Sequence, residues 1–160
     1  DYDDEVLAKL DVVTASVHSG MGMPIERMTK RVIEAISNPH VDILGHPTGR
    51  IIGKRDPYQI DIDAVLKAAA ETGTAMEVNA QPDRLDLKDT DCMLARDYGV
   101  MLAINSDSHS ASQLGLLDYG VATARRGWTE PKSVVNAMPL RELLRWLKRE
   151  PAGKPKRRTP

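Results

Sequence analysis

The sequence is poor in the residues that define disulfide-rich, aromatic-cored and membrane-spanning proteins. Its 160 residues include one cysteine, Cys92, and no phenylalanine, and aromatic residues make up 4%. A single cysteine excludes an internal disulfide framework and favours a reducing, cytoplasmic location. No run of about 18 apolar residues occurs, so neither a membrane span nor a membrane partner is expected. The core must therefore consist of Leu, Ile, Val, Ala and Met.

Several catalytic and nucleotide-binding signatures are also missing. The chain has no G-x-S-x-G elbow, no G-x-G-x-x-G loop and no G-x-x-x-x-G-K-[ST] loop. Its net charge is −1, from 22 basic and 23 acidic residues. Bulk charge therefore gives no reason to expect nucleic-acid binding, and any function must come from a local arrangement of side chains.

Short apolar segments alternate with segments of helical spacing. Five apolar runs predict strands buried on both faces, at residues 12–17, 41–44, 75–78, 100–104 and 121–123. The predicted helices and turns cover residues 25–36, 62–69, 89–98, 110–117, 131–137 and 140–150. Asp61 and Thr129 are the predicted N-terminal caps, while Gly73 and Gly99 are predicted to end helices. This order predicts an α/β fold with about five parallel strands, in an open sheet or as part of a barrel.

The C-terminal segment differs in composition from the rest. Residues 151–160 are basic and rich in proline, which predicts a disordered tail; contact with nucleic acid is the alternative interpretation. Residues 1–150 are predicted to form one domain.

Potential metal ligands follow three of the predicted strands. His18 comes directly after the first strand, His46 follows the second, and Asp107 and His109 follow the fourth. Parallel strands end at one edge of a sheet, where functional side chains of α/β proteins collect. If the chain stays extended, Asp107 and His109 point the same way. Imidazole nitrogens with a carboxylate suit zinc, manganese or iron.

Each of these residues also has a purely structural interpretation. A lone histidine after a strand is more often a hydrogen-bonded structural residue than a ligand. His40 precedes its strand and is interpreted as structural. Glu77, inside the third strand, is expected to form a structural ion pair rather than bind a metal.

Three polar residues near the strand ends are candidates for substrate binding: Arg50, Asn79 and Arg84. Arg50 would hold a phosphate by a bidentate contact, or it would be a solvated loop charge. Arg84 would bind phosphate or, more simply, pair with Asp83 or Asp86.

The segments around these residues resemble the PHP (polymerase and histidinol phosphatase) superfamily. They are S-V-H-S at 16–19, G-H-P-T-G-R at 45–50 and N-S-D-S-H at 105–109, and the stretches 79–87 and 120–128 resemble the PHP domain of bacterial family-X DNA polymerases. The resemblance implies a distorted (β/α)7 TIM-like barrel, of which residues 1–150 would be the C-terminal half. The H-x-H and bridging Glu of the family are not in this chain.

The resemblance also implies a metal-dependent phosphoesterase. His18, His46, Asp107 and His109 would be ligands of two or three manganese or zinc ions, and a metal-activated water would cleave the phosphoester. In the polymerase branch the implied activity is 3′–5′ exonuclease or end processing on DNA 3′ ends. The implied partners are the N-terminal half of the domain and a polymerase core, and the isolated fragment is expected to be inactive.

Two rival functions stay open. The domain would be a small-molecule phosphatase of the histidinol-phosphate type, using the same metals, or a metal-free structural domain of a polymerase. Half a barrel also exposes strand edges, so self-association of the fragment is expected.

Overall fold

The computed structural model describes residues 2–147. Its helices and strands, in chain order, are α1 (Asp4–Leu7), β1 (Thr14–Ala15), α2 (Ile25–Ser37), β2 (Ile43–Leu44), α3 (Ile62–Thr72), β3 (Ala75–Asn79), α4 (Asp89–Asp97), β4 (Leu102–Asn105), α5 (Leu117–Arg126) and α6 (Leu140–Leu147). Three 3-10 helices cover Ala111–Leu116, Pro131–Ser133 and Val135–Ala137. The predicted tail at 151–160 lies outside the described residues. No helix among those described has the length and apolarity to cross a bilayer.

The four strands form one parallel sheet in the order β1-β2-β3-β4. The α/β prediction is confirmed, and four of the five predicted strands occur, with shifted bounds. Within residues 2–147 the sheet stays open, with β1 and β4 at its two edges. The closed barrel of the intact domain is therefore still a prediction.

The two faces of the sheet pack against different partners. One face contributes to the main core with helices α2 to α5, through Leu44, Met76, Val78, Leu102 and Ile104. The opposite face carries a smaller cluster of Ile43, Ala75, Ala103 and Val135, covered by Leu143 and Trp146. Because strand side chains alternate between faces, Glu77, Asn79 and Asn105 belong to this second face. These three polar residues lie closer to the carboxyl ends of the strands than the apolar cluster on the same face.

Most of the predicted helix ends are present. The Asp61 carboxylate accepts the Ala64 N–H at 3.0 Å, and Gly73 ends α3 with φ of 68°. Gly99, with φ of 71°, follows the end of α4. The predicted cap at Thr129 is wrong, because Glu130 precedes the 3-10 turn and makes no side-chain capping bond.

The predicted fifth strand, residues 121–123, is wrong, since these residues lie inside α5. A three-residue apolar run cannot separate strand from helix. The buried residues Gly120, Thr123 and Ala124 have helical spacing, and their small size lets α5 approach the sheet closely. A Cβ at Gly120 would lie 2.7 Å from Ile104 Cγ2.

The two edges of the sheet differ in how they are covered. At β4 the Asn136 side chain accepts the Ile104 N–H at 2.7 Å and donates to the Ile104 carbonyl at 2.9 Å. Within residues 2–147 no strand pairs with the outer side of β1. Beside it lies a groove of about 820 Å³, and Val12 is 46% exposed there. Self-association stays a prediction, and the β1 edge is the surface that it would use.

Gly120→Ala should lower the free energy of unfolding by about 1–2 kcal/mol. The added methyl group must displace both Ile104 and Ala80, an overpacking cost that exceeds the gain in helix propensity. Urea unfolding measures this change. Gly115→Ala is the control, because nothing lies within 4 Å of its added Cβ; equal effects of the two substitutions would contradict the close approach of α5.

Sedimentation equilibrium of the chain should show a concentration-dependent mass above that of the monomer. Val12→Lys should shift the equilibrium towards monomer, because a charge at an open edge opposes strand pairing. Val121→Lys, on the exposed side of α5, is the matched control and should leave the association unchanged. A wild-type chain that stays monomeric at high concentration would count against association through β1.

Candidate functional site

Two imidazoles meet at the carboxyl ends of β1 and β2. His18 Nε2 lies 3.2 Å from His46 Nε2, with ring centroids 5.1 Å apart. Ser16 Oγ lies 3.2 Å from the same nitrogen of His18. The structure thus brings together two predicted ligands that are 28 residues apart in the sequence.

The environment of His46 favours the neutral imidazole. Burial lowers the pKa of His46, the positive charge of Arg84 lowers it further, and the negative charge of Glu77 opposes both. Neutral imidazole is the form that binds metals. Within the part of the chain that the structure describes, the buried Nδ1 of His46 has no hydrogen-bond partner.

A buried carboxylate, Glu77, lies beneath the histidine pair. Its Oε2 accepts the His46 backbone N–H at 2.6 Å and Asn79 Nδ2 at 3.2 Å, while Oε1 accepts Asn105 Nδ2 at 2.9 Å. The prediction that Glu77 forms an ion pair is therefore wrong for residues 2–147. Three neutral N–H groups surround this carboxylate, and no cation of the described residues lies at salt-bridge distance from it.

Asp107 is joined to this network through Asn79. The amide of Asn79 donates to Asp107 Oδ2 at 3.0 Å as well as to Glu77, and its Oδ1 accepts the Gln81 N–H at 3.1 Å. Both predicted roles in this region, Asp107 as a ligand and Asn79 as a substrate contact, remain predictions. The hydrogen bonds show that Asn79 is already engaged within the protein.

His109 does not project as the strand alternation predicts. Asp107 has φ of 48°, so the chain is not extended there and the alternation argument fails. The His109 ring folds back so that its Nδ1 lies 2.9 Å from the Asp107 carbonyl oxygen. His109 is exposed, and its role as a ligand stays a prediction.

Two arginines connect the loops around the site. Arg84 Nε lies 3.8 Å from Asp107 Oδ2, so its partner is Asp107 and the predicted pairing with Asp83 or Asp86 is wrong. Its Nη1 is buried and, among the described residues, unpaired. Arg50 donates from Nε to the Arg84 carbonyl at 2.7 Å and from Nη2 to the carbonyl of the next residue. Arg50 thereby holds the backbone that carries Arg84.

Sequence reasoning missed the anchor of the loop after His46. The buried Asp86 carboxylate accepts the backbone N–H groups of Thr48 at 3.0 Å and Gly49 at 2.9 Å. Tyr58 adds a hydrogen bond of 2.6 Å to the Pro47 carbonyl. Burial raises the pKa of Asp86 to about 6, although the hydrogen bonds from the loop and the charge of Arg50 lower it. No sequence pattern distinguishes this aspartate from its acidic neighbours.

The histidine pair fits a shared cation. Two nitrogens bound at about 2.0–2.1 Å to one tetrahedral ion lie about 3.3 Å apart, close to the 3.2 Å between the two Nε2 atoms. The other predicted ligands are not gathered around this point: within residues 2–147 no group of three or more His, Cys, Asp or Glu side chains is arranged to hold a metal. Among the described residues only the spacing of these two imidazoles suits one ion, and the metal site stays a prediction.

Several curated proteins are similar to this chain, whereas no family model matches it. It is 49% identical to the "DNA polymerase/3'-5' exonuclease PolX" of Bacillus subtilis over 149 residues, which are 93% of this chain and 26% of that protein. It is 35% identical to a "Probable phosphatase" of Thermoanaerobacter sp. over 164 residues, 96% of this chain and 64% of that protein. A "Probable phosphatase" of Caldanaerobacter subterraneus is 37% identical over 130 residues, 76% of this chain and 49% of that protein. The chain therefore spans less than two thirds of the length of these relatives.

The stability of the chain should depend on the titration of Asp86. The pKa of Asp86 in the folded chain is raised from 3.8 to about 6. Its contribution to the free energy of unfolding is therefore complete below about pH 4 and is lost as the pH rises through about 6. Asp86→Asn should remove this fall in the free energy of unfolding, which amounts to about 3 kcal/mol. Urea unfolding from pH 4 to pH 7 measures it.

Asp83→Asn is the control for this pH series, because it removes an exposed carboxylate from the same segment. Parallel pH profiles for the wild type and Asp86→Asn would contradict the assignment of the raised pKa to Asp86.

Proposed function

We propose that the intact protein is a metal-dependent phosphoesterase. The premise is that this chain belongs to the PHP superfamily, and to the kind of PHP domain found in family-X DNA polymerases. The observation that carries the proposal is the approach of His18 and His46, whose Nε2 atoms lie at the spacing of two ligands on one ion. The lowered pKa of His46 supports it, because burial and the charge of Arg84 favour the neutral ring, whose nitrogen lone pair can bind a cation.

The metal site of the intact protein would use His18 and His46 for one ion, with Asp107 and His109 as ligands of further ions. Manganese or zinc, two to three ions in all, suits these nitrogen and oxygen donors. Divalent cations in such a site supply Lewis acidity, which makes water more acidic and offsets the charge of the phosphate. The remaining ligands would come from the part of the relatives that this chain does not span.

Arg84 would bind the phosphate of the substrate. Its side chain is 22% exposed, and its neighbour Asp107 holds the guanidinium near the strand ends. A guanidinium group is well suited to the oxygens of a phosphate. Arg50 acts less directly, because two of its donors hold the carbonyls of the segment that carries Arg84.

The specific substrate we propose is the 3′ end of DNA, cleaved as a 3′–5′ exonuclease or in end processing. The support is the 49% identity to a protein named as a polymerase and 3′–5′ exonuclease. The partners would then be the remaining half of the PHP domain and a polymerase core. The 160-residue chain by itself would be inactive, because it holds only part of the ligand set.

A small-molecule phosphatase is the second candidate, favoured by the relatives named as phosphatases, one of which matches 96% of this chain. The same imidazoles and arginines would serve it. Rates of hydrolysis of a 3′-recessed oligonucleotide and of histidinol phosphate by the intact protein separate the two functions.

A third candidate, a structural domain without metal, predicts no stoichiometric metal in the purified intact protein.

His46→Ala and Asp107→Ala in the intact protein should each lower manganese-stimulated digestion of 3′-recessed DNA by at least about 100-fold. The reason is that loss of a ligand should cost no less than loss of a residue that only supports one. Initial rates on a labelled duplex measure the effect.

His40→Ala is the matched control for these variants. It removes an imidazole that precedes β2, at the opposite end of the strand from His46, and should leave the rate within about twofold. Full activity in His46→Ala and Asp107→Ala would overturn the phosphoesterase mechanism.

A further inference from the structure

The structure assigns to Glu77 the role of a positioning residue that holds the candidate ligands His46 and Asp107 in place relative to each other. The inference rests on the proposed function, because it concerns the same candidate ligands. Glu77 is 5% exposed and lies in β3, between the strands that precede His46 and Asp107. It is placed to act on both residues without contacting a substrate.

The contact with His46 fixes an unusual backbone conformation. His46 has φ of 30°, in the left-handed region that a residue with a Cβ rarely adopts and that costs about 1–3 kcal/mol. Its N–H donates to Glu77 Oε2 at 2.6 Å. A short hydrogen bond to a carboxylate is about twice as strong as one between neutral groups, so it offsets this strain.

Backbone control matters here because the ring lacks the usual support. A metal-binding histidine usually donates its second ring nitrogen to a carboxylate or carbonyl, and this fixes the ring. Among the described residues the Nδ1 of His46 has no such partner. The direction of the ring is therefore set by its backbone, which Glu77 holds.

The contact with Asn79 extends the same control to Asp107. The Asn79 amide donates one hydrogen to Glu77 Oε2 and the other to Asp107 Oδ2. Glu77 thereby fixes the orientation of the amide, and the amide fixes the Asp107 carboxylate. A change at Glu77 should disturb both His46 and Asp107.

Glu77 is not itself a metal ligand in this arrangement. Its two oxygens accept three N–H groups, from His46, Asn79 and Asn105. This position therefore requires a side chain with two acceptor oxygens. With the Asn105 amide in its present orientation, a glutamine whose oxygen faces the His46 N–H would place its NH₂ group against Asn105 Nδ2, and that hydrogen bond would become a donor–donor contact.

The test uses the full 160-residue chain with Zn²⁺ as the probe. The titration is followed by the ring ¹⁵N resonances of His18 and His46, and hydrogen exchange of the His46 amide is measured without metal. In Glu77→Gln the Kd for Zn²⁺ should rise about 10–100-fold, and the His46 amide should exchange at least about tenfold faster.

A double variant that exchanges the carboxylate and amide groups of residues 77 and 105 should rescue Zn²⁺ binding. In the double variant E77Q/N105D, the new NH₂ group of residue 77 can donate to the new carboxylate at 105, which leaves an oxygen for the His46 N–H. This variant should restore the Kd for Zn²⁺ to within about threefold of wild type. If Glu77→Gln does not fold, Asn105→Ala replaces it, and this loss of one donor to Glu77 should raise the Kd at least about threefold.

Asp42→Asn is the matched control. Asp42 is a buried carboxylate that also accepts a backbone N–H, from Val13 at 3.0 Å, but it precedes β2 at the opposite end of the strand. It should lower stability and leave the Kd within about twofold. The inference would be overturned if Glu77→Gln kept the wild-type Kd, or if Asp42→Asn lost as much affinity for Zn²⁺ as Glu77→Gln. Failure of the double variant to restore the Kd would also overturn it. An intact protein that shows this Zn²⁺ pattern but cleaves no phosphoester would refute the proposed function alone.

Discussion

The hydrogen bonds of the buried Glu77 carboxylate join the loop after β2 to the ends of β3 and β4. A carboxylate in this position would be costly if its oxygens were unsatisfied. The His46 N–H and the amides of Asn79 and Asn105 satisfy them. The two strained residues of the site, His46 and Asp107, lie within one or two hydrogen bonds of this carboxylate. Strained backbone persists where the surroundings over-determine it, and this happens most often at functional sites.

A second buried carboxylate constrains the same loop from its other end. Asp86 accepts the N–H groups of Thr48 and Gly49, while Glu77 accepts that of His46. The loop that carries His46 is therefore held by two acids from β3 and the segment after it. The parallel sheet supplies the rest, because it places the ends of all strands at one edge. In this way the site is built on rigid elements, although its residues lie in loops.

The sequence was sufficient to predict what depends on local chemistry. Asp61 and Gly73 delimit α3 as expected, and the apolar runs identified four strands, because capping and burial leave direct marks in residue type. The position of His18 and His46 at strand ends followed from the same patterns.

Where long-range packing decides the structure, the sequence was not sufficient. Residues 121–123 form a helix because Gly120 lets α5 lie against Ile104. Arg84 pairs with Asp107 rather than with its acidic neighbours in sequence, since the turn at 82–84 directs it across to the loop after β4. The local sequence places Glu77 inside a buried strand without showing its hydrogen-bond partners, and nothing in it distinguishes the buried acceptor Asp86 from solvated acids.

We propose that His18 and His46 hold one cation between their Nε2 atoms. Anomalous diffraction from crystals of the intact protein soaked in Mn²⁺ tests it most directly. We predict an anomalous peak bonded to both nitrogens, at about 2.0–2.3 Å from each. Fully occupied Mn²⁺ elsewhere in the protein, with no anomalous density between these two rings, would contradict the claim.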